Sequence, residues 1–345
     1  VTTRRTSVVV LHNAPVLPDE HPDAASEHDV VAVAESVASL LREDGFLAWP
    51  AAVGRSPATM LKVLTNKGPS GRKPEVVFNL IEGFGGRSAG AAYATGLIEL
   101  AGLPYTGSPV EALALCQEKS RTKALLRGFG LPTAPFALVC EGETILDWPW
   151  DGPILVKPDA EDASLGIDQE SVVSDLESLQ RKIGRIHETY HGAALLEAYL
   201  PGREFNVGVL ALPYPESLPI AEVQFQSQEG IWPILTYNAK WATGSREDRA
   251  SPIVCPASLE PESAQRLARL ALDAYRITGC RDYARIDLRL DRRGDPMILE
   301  VNPNPDIGQG AGWARALRAS GRNYAATLGS FVQQAINRHR QILPG

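Results

Sequence analysis

Cysteine is scarce in this chain. Its 345 residues hold four, Cys116, Cys140, Cys255 and Cys280, all far apart and with no C-x-x-C pair. That spacing excludes a zinc ribbon and a disulfide framework, and fits buried thiols in a reducing cytosol, so a cytoplasmic location is expected. Long apolar runs are also missing. The first, Val8 to Leu11, is too short for the core of a signal peptide and reads as a β-strand, and no run approaches the ~18 apolar residues of a membrane span. Basic charge is in deficit: 34 Lys and Arg face 41 Asp and Glu, a net charge of −7. Nucleic-acid and anionic membrane surfaces need clustered Lys and Arg, so neither is an expected partner.

The composition is that of a globular protein, 44% hydrophobic and 22% charged, long enough for two or three packed units. Residues 7–115 alternate short β-branched runs with helical patterns. Ser7–Leu11 and Glu75–Leu80 read as strands, Glu27–Leu41 and roughly Ser88–Leu100 as helices. Such alternation implies a parallel sheet with helices on its faces. Between the first strand and first helix, 13–25 is a long polar loop containing His21 and three prolines. From Glu111 onward helices mix with short strands: Pro153–Lys157, Phe205–Leu210, Ile220–Phe225, Tyr283–Leu290 and Met297–Val301, with helices near Glu260–Thr278 and Asn323–Arg338. The expected fold class is α/β plus α+β in three units, with boundaries at 1–114, 115–195 and 196–345.

The most informative stretch lies near the C-terminus. Arg285 and Asp287 are two apart on one strand, and Glu300 and Asn302 two apart on the next, so each pair projects to one face. The turn-rich segment 291–296 between them suits a hairpin. Folding that hairpin collects Asp287, Glu300 and Asn302 into an all-oxygen cluster with a guanidinium beside it. Hard oxygen donors suit Mg²⁺, which also takes ligands from nucleotide phosphates, and Arg285 is suited to hold a transferring phosphoryl group. The alternative is a solvated hairpin with ordinary salt bridges.

Taken in order, the chain resembles the D-alanine–D-alanine ligase family of ATP-grasp enzymes over nearly its whole length. The resemblance is carried by Val77-Phe78-Asn79 with the glycine loop after it, Leu103 to Ser108, Glu118-Lys119 with Thr122-Lys123, and Gly130 to Thr133. It continues through Leu155 to Pro158, Leu196 to Phe205, Ala239-Lys240 and Glu300-Val301-Asn302. It implies an ATP-grasp fold behind an N-terminal, Rossmann-like domain, and a ligase that activates a carboxylate as an acyl phosphate for attack by an amine. By resemblance, Lys119, Lys157 and Lys240 contact ATP phosphates, Glu197 accepts from the adenine amino group, and Tyr199 and Leu200 form the adenine hinge. Glu204 binds ribose hydroxyls, and Ser164 and Gly166 belong to a flexible phosphate cover over 159–167. Asp287, Glu300 and Asn302 hold two Mg²⁺ ions, with Mn²⁺ as a substitute, while Arg285 stabilises the acyl phosphate and the tetrahedral intermediate. The partners implied are small amino-acid-like substrates and a second copy in a homodimer.

Departures from the family pattern sit at the amino-acid end. Glu27 matches a glutamate that meets the first amino acid's ammonium, but a long loop precedes it. Glu82 stands where the family has histidine. A serine–tyrosine clamp on the cover is replaced by Ala163 and Trp241, so those side chains cannot bond each other. After Asn302 the chain reads Pro303-Asn304-Pro305-Asp306 in place of a Leu-Pro-Gly turn, with Ala311 near a carboxylate-binding serine. Asp306 either attracts a cationic acceptor, together with Glu82, or caps a helix beginning near Gln309. An authentic D-alanine–D-alanine ligase of cell-wall synthesis and an inactive nucleotide-binding regulatory module are the competing readings.

Two signals are discounted. His187-Glu188-Thr189-Tyr190-His191 matches the H-E-x-x-H zinc pattern, but Gly192 puts the second histidine at a helix end with no third ligand in view. Gly83 to Gly86 lacks both the Lys-Ser/Thr ending of a P-loop and a dinucleotide fingerprint. His28 reads as a structural histidine.

Overall fold

Val8, Val9, Val10 and Leu11 are each fully buried, because their strand has side chains packed on both of its faces: Val8 and Val10 join one core cluster, Val9 and Leu11 another. Burial on both faces is the mark of a strand inside a parallel sheet. The structure, a computed structural model, describes residues 5–16, 24–84 and 88–342.

In the N-terminal unit β1 (Ser7–Asn13) lies between β2 (Leu47–Val53) and β3 (Val76–Asn79), all parallel. Helices α1 (Ala24–Glu43), α2 (Pro57–Thr65) and α3 (Gly90–Leu100) accompany them. Strand β2 has no counterpart in the sequence reading. It carries Pro50 at its middle, which a strand tolerates only on an edge, and β2 is an edge strand. The loop around His21 and the centre of the glycine turn after Glu82 fall on 17–23 and 85–87, outside the described residues.

Helices α4 (Val110–Gln117) and α5 (Lys119–Gly128) lead into a four-stranded antiparallel sheet in the order β4 (Phe136–Val139), β7 (Ala194–Ala198), β5 (Ile154–Pro158), β6 (Val172–Val173). The amphipathic helix α6 (Leu176–Tyr190) covers it through Leu179, Ile183 and Ile186. His187, in the last turn of this helix, has Nε2 3.1 Å from the Val139 carbonyl, and His191 is the left-handed C-cap at φ 50°. The His187 ring and the His191 backbone are thus used by the fold, and no group of three potential metal-binding His, Cys, Asp or Glu occurs among the described residues.

The third unit is an antiparallel sheet built on β8 (Glu204–Ala211), flanked by β9 (Pro215–Ser217) and β10 (Ala221–Val223). After the short helices α7 (Tyr237–Trp241) and α8 (Arg246–Ala250), β11 (Ile253–Val254) extends its edge. Helix α9 (Pro261–Ile277) packs on one face, and β12 (Tyr283–Leu290) and β13 (Pro296–Asn302) form the expected hairpin beside β8. The last helices, α10 (Gly312–Ala319) and α11 (Tyr324–Ile342), return to the N-terminal layer. There Trp313, Phe331 and Tyr283 stack on one another and share a core with Val8, Val10 and Phe78. Buried Asp282 binds this junction, accepting from the Gly107 amide and from both terminal nitrogens of Arg338. No helix of the described residues is long and apolar enough to cross a membrane.

Candidate active site

Strand alternation builds one wall of the site. On β8, Phe205, Val207 and Val209 turn toward α9, so Glu204 and Asn206 face the other way. On β12, Ala284, Ile286 and Leu288 join the same core, which leaves Arg285, Asp287 and Arg289 on the opposite face. The register aligns Asp287 with Asn206 and Arg289 with Glu204 on one side, and Asp287 with Glu300 and Arg285 with Asn302 on the other. Three neighbouring strands thus present one polar row. Asn206, which donates to Asp287 Oδ1 at 2.8 Å, escaped the sequence reading, although its spacing of two from Glu204 puts it on that face.

The four-stranded sheet forms the opposite wall, and the cleft between them spans about 700 Å³, part of it open to solvent. Lys157, Ser164, Glu197, Tyr199, Leu200 and Glu204 line it. Lys240, Asp287 and Glu300 close its polar end, and Leu155, Ile234 and Leu299 supply apolar surface. A mostly apolar slot with a few converging polar groups is the usual shape of a nucleotide or cofactor site.

At the polar end, cations gather around one carboxylate. Lys119 Nζ lies 3.9 Å from Glu300 Oε2, and Arg285 Nη2 lies 3.9 Å from Glu300 Oε1. Burial raises the Glu300 pKa, but Lys119, Lys157, Lys240 and Arg285 outweigh it and hold the group at about 2. Lys240 opens onto the cleft. The protein around it, and then the neighbouring charge of Arg285, pull its pKa down. Arg285 also grips Asp287 with two hydrogen bonds, Nε to Oδ1 at 2.8 Å and Nη2 to Oδ2 at 2.9 Å.

Glu197 sits on β7 between two buried lysines, with its carboxylate oxygens 2.5 Å from Lys123 Nζ and 2.5 Å from Lys157 Nζ. Burial raises its pKa, yet the two ammonium groups bring it down to about 2. Lys123, on α5, was legible only as part of a motif. It also reaches Thr133 and the Ile298 carbonyl, tying the two sheets together.

Segment 159–167, the expected phosphate cover, is pinned at its base and latched at its tip. Asp159 accepts from the Ser120 amide at 2.7 Å and the Ser120 hydroxyl at 2.8 Å, and Lys119 Nζ bonds the Glu161 carbonyl. Gly166 is required where it is: at φ 75°, an added Cβ would fall 2.6 Å from Pro158 Cγ. At the tip, Ser164 Oγ donates to the Leu235 carbonyl at 3.0 Å, and Trp241 Nε1 donates to the Ala163 carbonyl at 3.1 Å. The side chains of Ala163 and Trp241 do not bond each other, and the position is clamped all the same, through the backbone. The indole replaces a side-chain partner with a backbone one, and the left-handed turn at Ala163 and Ser164 (φ 55° and 63°) accompanies that contact.

The region around Glu82 and Asp306 is acidic. Glu82 opens to solvent, but the protein mass around it, then the charges of Asp306, Asp162 and Asp29, push its pKa up to about 8. Asp306 Oδ1 accepts from the Gly308 amide at 2.6 Å, closing a local turn. It does not cap a helix: α10 begins at Gly312, with Ala311 as its N-cap residue. Glu27 lies on α1, but its side chain is outside the described residues.

Two antiparallel sheets closing on a nucleotide-sized cleft, with lysines from both sides and a carboxylate hairpin at one end, define the ATP-grasp class. Residues 125–333 match the family model described as the D-ala D-ala ligase C-terminus. An uncharacterized protein, y4sG, of Sinorhizobium fredii is 32% identical over 307 residues, covering 89% of this chain and 88% of its own length. A D-alanine–D-alanine ligase of Methylacidiphilum infernorum is 31% identical over 265 residues, 77% of this chain and 80% of that protein. The crystal structure of a Bacillus anthracis D-alanine–D-alanine ligase complexed with ATP superposes with a TM-score of 0.74. That comparison covers 98% of this chain and 99% of the other at 17% identity, a likeness of fold. The chain belongs to the D-alanine–D-alanine ligase family, as a divergent ATP-grasp ligase that forms a peptide-type C–N bond.

Proposed function

We propose that the protein joins the carboxylate of one amino-acid-like substrate to the amine of another at the expense of ATP, through an acyl phosphate. The observation that carries this reading is the ring of Lys119, Lys157, Lys240 and Arg285 about Glu300, next to Asp287. A carboxylate is a poor electrophile, since an amine attacking it would have to expel oxide. Transfer of the γ-phosphoryl group to a carboxylate oxygen releases ADP and makes phosphate the leaving group. The amine then adds to the carbonyl, phosphate departs, and the amine's proton is lost to solvent. The cations oppose the negative charge that builds up on the phosphoryl oxygens.

The donor set fits Mg²⁺: two carboxylates and an amide, all oxygen, stand on adjacent strands at Asp287, Glu300 and Asn302. When bound there, the ion supplies charge neutralisation between phosphate oxygens. Lys157 is held by Glu197, and Lys119 by the cover segment, so both ammonium groups are preorganised. Under this reading Tyr199 and Leu200 border the base and Glu204 meets the ribose. The cover keeps water from the acyl phosphate. Glu82 and Asp306 would meet the amino acids under this reading, and an acidic end favours an acceptor carrying positive charge over one presenting a bare carboxylate.

The test is ADP release with Mg·ATP against single and paired D- and L-amino acids, cationic ones included, with Glu300→Gln as control. ADP and phosphate formed only when acid and amine are both present, and lost in the variant, support the ligase. Full turnover with D-alanine alone would refute the cationic-acceptor part. Tight ATP binding without turnover on any pair would favour a regulatory module.

A further inference from the structure

Arg289 is the most heavily engaged side chain of the cleft, and the ligase reading leaves it without a role. It lines the cavity, yet the residue is only 4% exposed. Its guanidinium carbon lies 5.3 Å from the centroid of Tyr199 and 5.0 Å from that of Phe225, within cation–π reach of both rings. Its edge is spent on polar partners. Nε donates to the Gly202 carbonyl at 3.2 Å, Nη2 to the Pro233 carbonyl at 2.6 Å and the Tyr199 hydroxyl at 3.3 Å, and Nη1 to Glu204 Oε2 at 3.0 Å. These contacts join three separate stretches, the hinge after β7, the start of β8 and the loop before α7, to one rigid plane.

We propose that Arg289 is the positioning residue for sugar recognition: it anchors Glu204 by one carboxylate oxygen and aims the other at a ribose hydroxyl of the nucleotide. The inference rests on the reading of Glu204 as the ribose-binding residue. Its geometric basis is the asymmetry of the pair. Oε2 of Glu204 is bound to Arg289, whereas no protein partner for Oε1 is found among the described residues, and the residue borders the cavity. A carboxylate held at one oxygen by a fixed, planar donor has one orientation for the other. Tyr199 joins the same array, because Arg289 holds its hydroxyl and ring while Trp232 packs edge-on against it at 5.3 Å. Base hinge and sugar acceptor are thus fixed by one side chain.

The test is equilibrium binding of ATP, 2′-deoxy-ATP and 3′-deoxy-ATP, with Mg²⁺, to the full chain and to Glu204→Gln, Arg289→Met and Arg289→Lys. The wild type should prefer ATP over at least one deoxy analogue by about tenfold, the worth of one hydrogen bond to a charged group. Glu204→Gln and Arg289→Met should each bring that preference close to unity. Arg289→Lys keeps the charge but not the fork, and should lose most of it. An Arg289→Met protein that binds all three nucleotides more weakly by one common factor, with the preference intact, would reduce Arg289 to a packing residue and overturn the proposal. If that variant does not fold, as judged by circular dichroism, intact preference in Arg289→Lys overturns it equally. Preference retained in Glu204→Gln would instead remove the ribose reading of Glu204, and this inference with it, leaving the ligase chemistry standing.

Discussion

Arg285 and Asp287, two residues apart on β12, hold each other through paired hydrogen bonds of 2.8 and 2.9 Å on the face that looks into the cleft. Asn206 takes a further bond to the same Asp287 oxygen as Arg285 Nε, so the carboxylate is oriented from two strands. A carboxylate held this firmly by the protein itself presents its charge at a fixed point. Asp287→Asn keeps the shape and removes the charge. ADP formation should fall more than about a hundredfold, and the Mg²⁺ concentration for half-maximal rate should rise. A magnesium titration of turnover checks both. Arg285→Lys loses the two-pronged grip, and turnover should drop by about a hundredfold or more with ATP affinity little changed.

Glu197 pairs with two buried ammonium groups at once. Glu197→Gln leaves them unpaired, and stability should fall by roughly 3–5 kcal/mol, read from urea unfolding. The pH dependence has a definite sign. The folded group titrates near 2, below its ordinary value of 4.5, so its contribution is complete above 4.5 and lost as pH falls toward 2. Glu300, held equally low, adds to the same window. The acid limb of the stability curve should therefore be shallower in Glu197→Gln than in the wild type.

Trp241 closes the cover through a single indole hydrogen bond to the Ala163 carbonyl. Trp241→Phe preserves the ring and removes the donor, a loss of about 1 kcal/mol from the closed state. More acyl phosphate should then meet water, and the ratio of ADP to coupled product should rise severalfold. A ratio unchanged from the wild type would show that Ser164 and its bond to Leu235 suffice.

Glu82 behaves oppositely to Glu197. Crowding by the protein and then three neighbouring carboxylates raise its pKa to about 8, so the fold resists its ionisation. Its presence should cost increasing stability as pH climbs from about 4.5 to 8. Glu82→Gln removes that penalty, and the gain in Tm over wild type should be larger at pH 8.5 than at pH 5. An equal gain at both values would mean that Glu82 ionises normally.

Much of the geometry of this polar row is readable in one dimension, because strands have a period of two. The spacing of Arg285 and Asp287, and of Glu300 and Asn302, is enough to say which side chains share a face. The turn between them determines that the pairs meet, and β12 and β13 do pair as expected. The same arithmetic extends from Glu204 to Asn206 and from Asp287 to Arg289, whose side chains also look into the cleft wall, but neither carries a motif that would single it out. Strand β2 was missed for another reason: Pro50 weakens a strand signal, and only the sheet order reveals that β2 is an edge where proline is harmless.

Contacts across long separations were beyond the sequence. Lys123 and Glu197 are 74 residues apart, and what sets Glu197 between two lysines is the packing of α5 against the central sheet. Nothing in the order of residues states that Arg289 meets Tyr199, Gly202, Glu204 and Pro233 together. The latch shows the division most clearly. Side-chain identities at Ala163 and Trp241 excluded a hydrogen bond between side chains, and they still do. The backbone carbonyl that replaces one of them is common to every residue, so only the fold decides where it points.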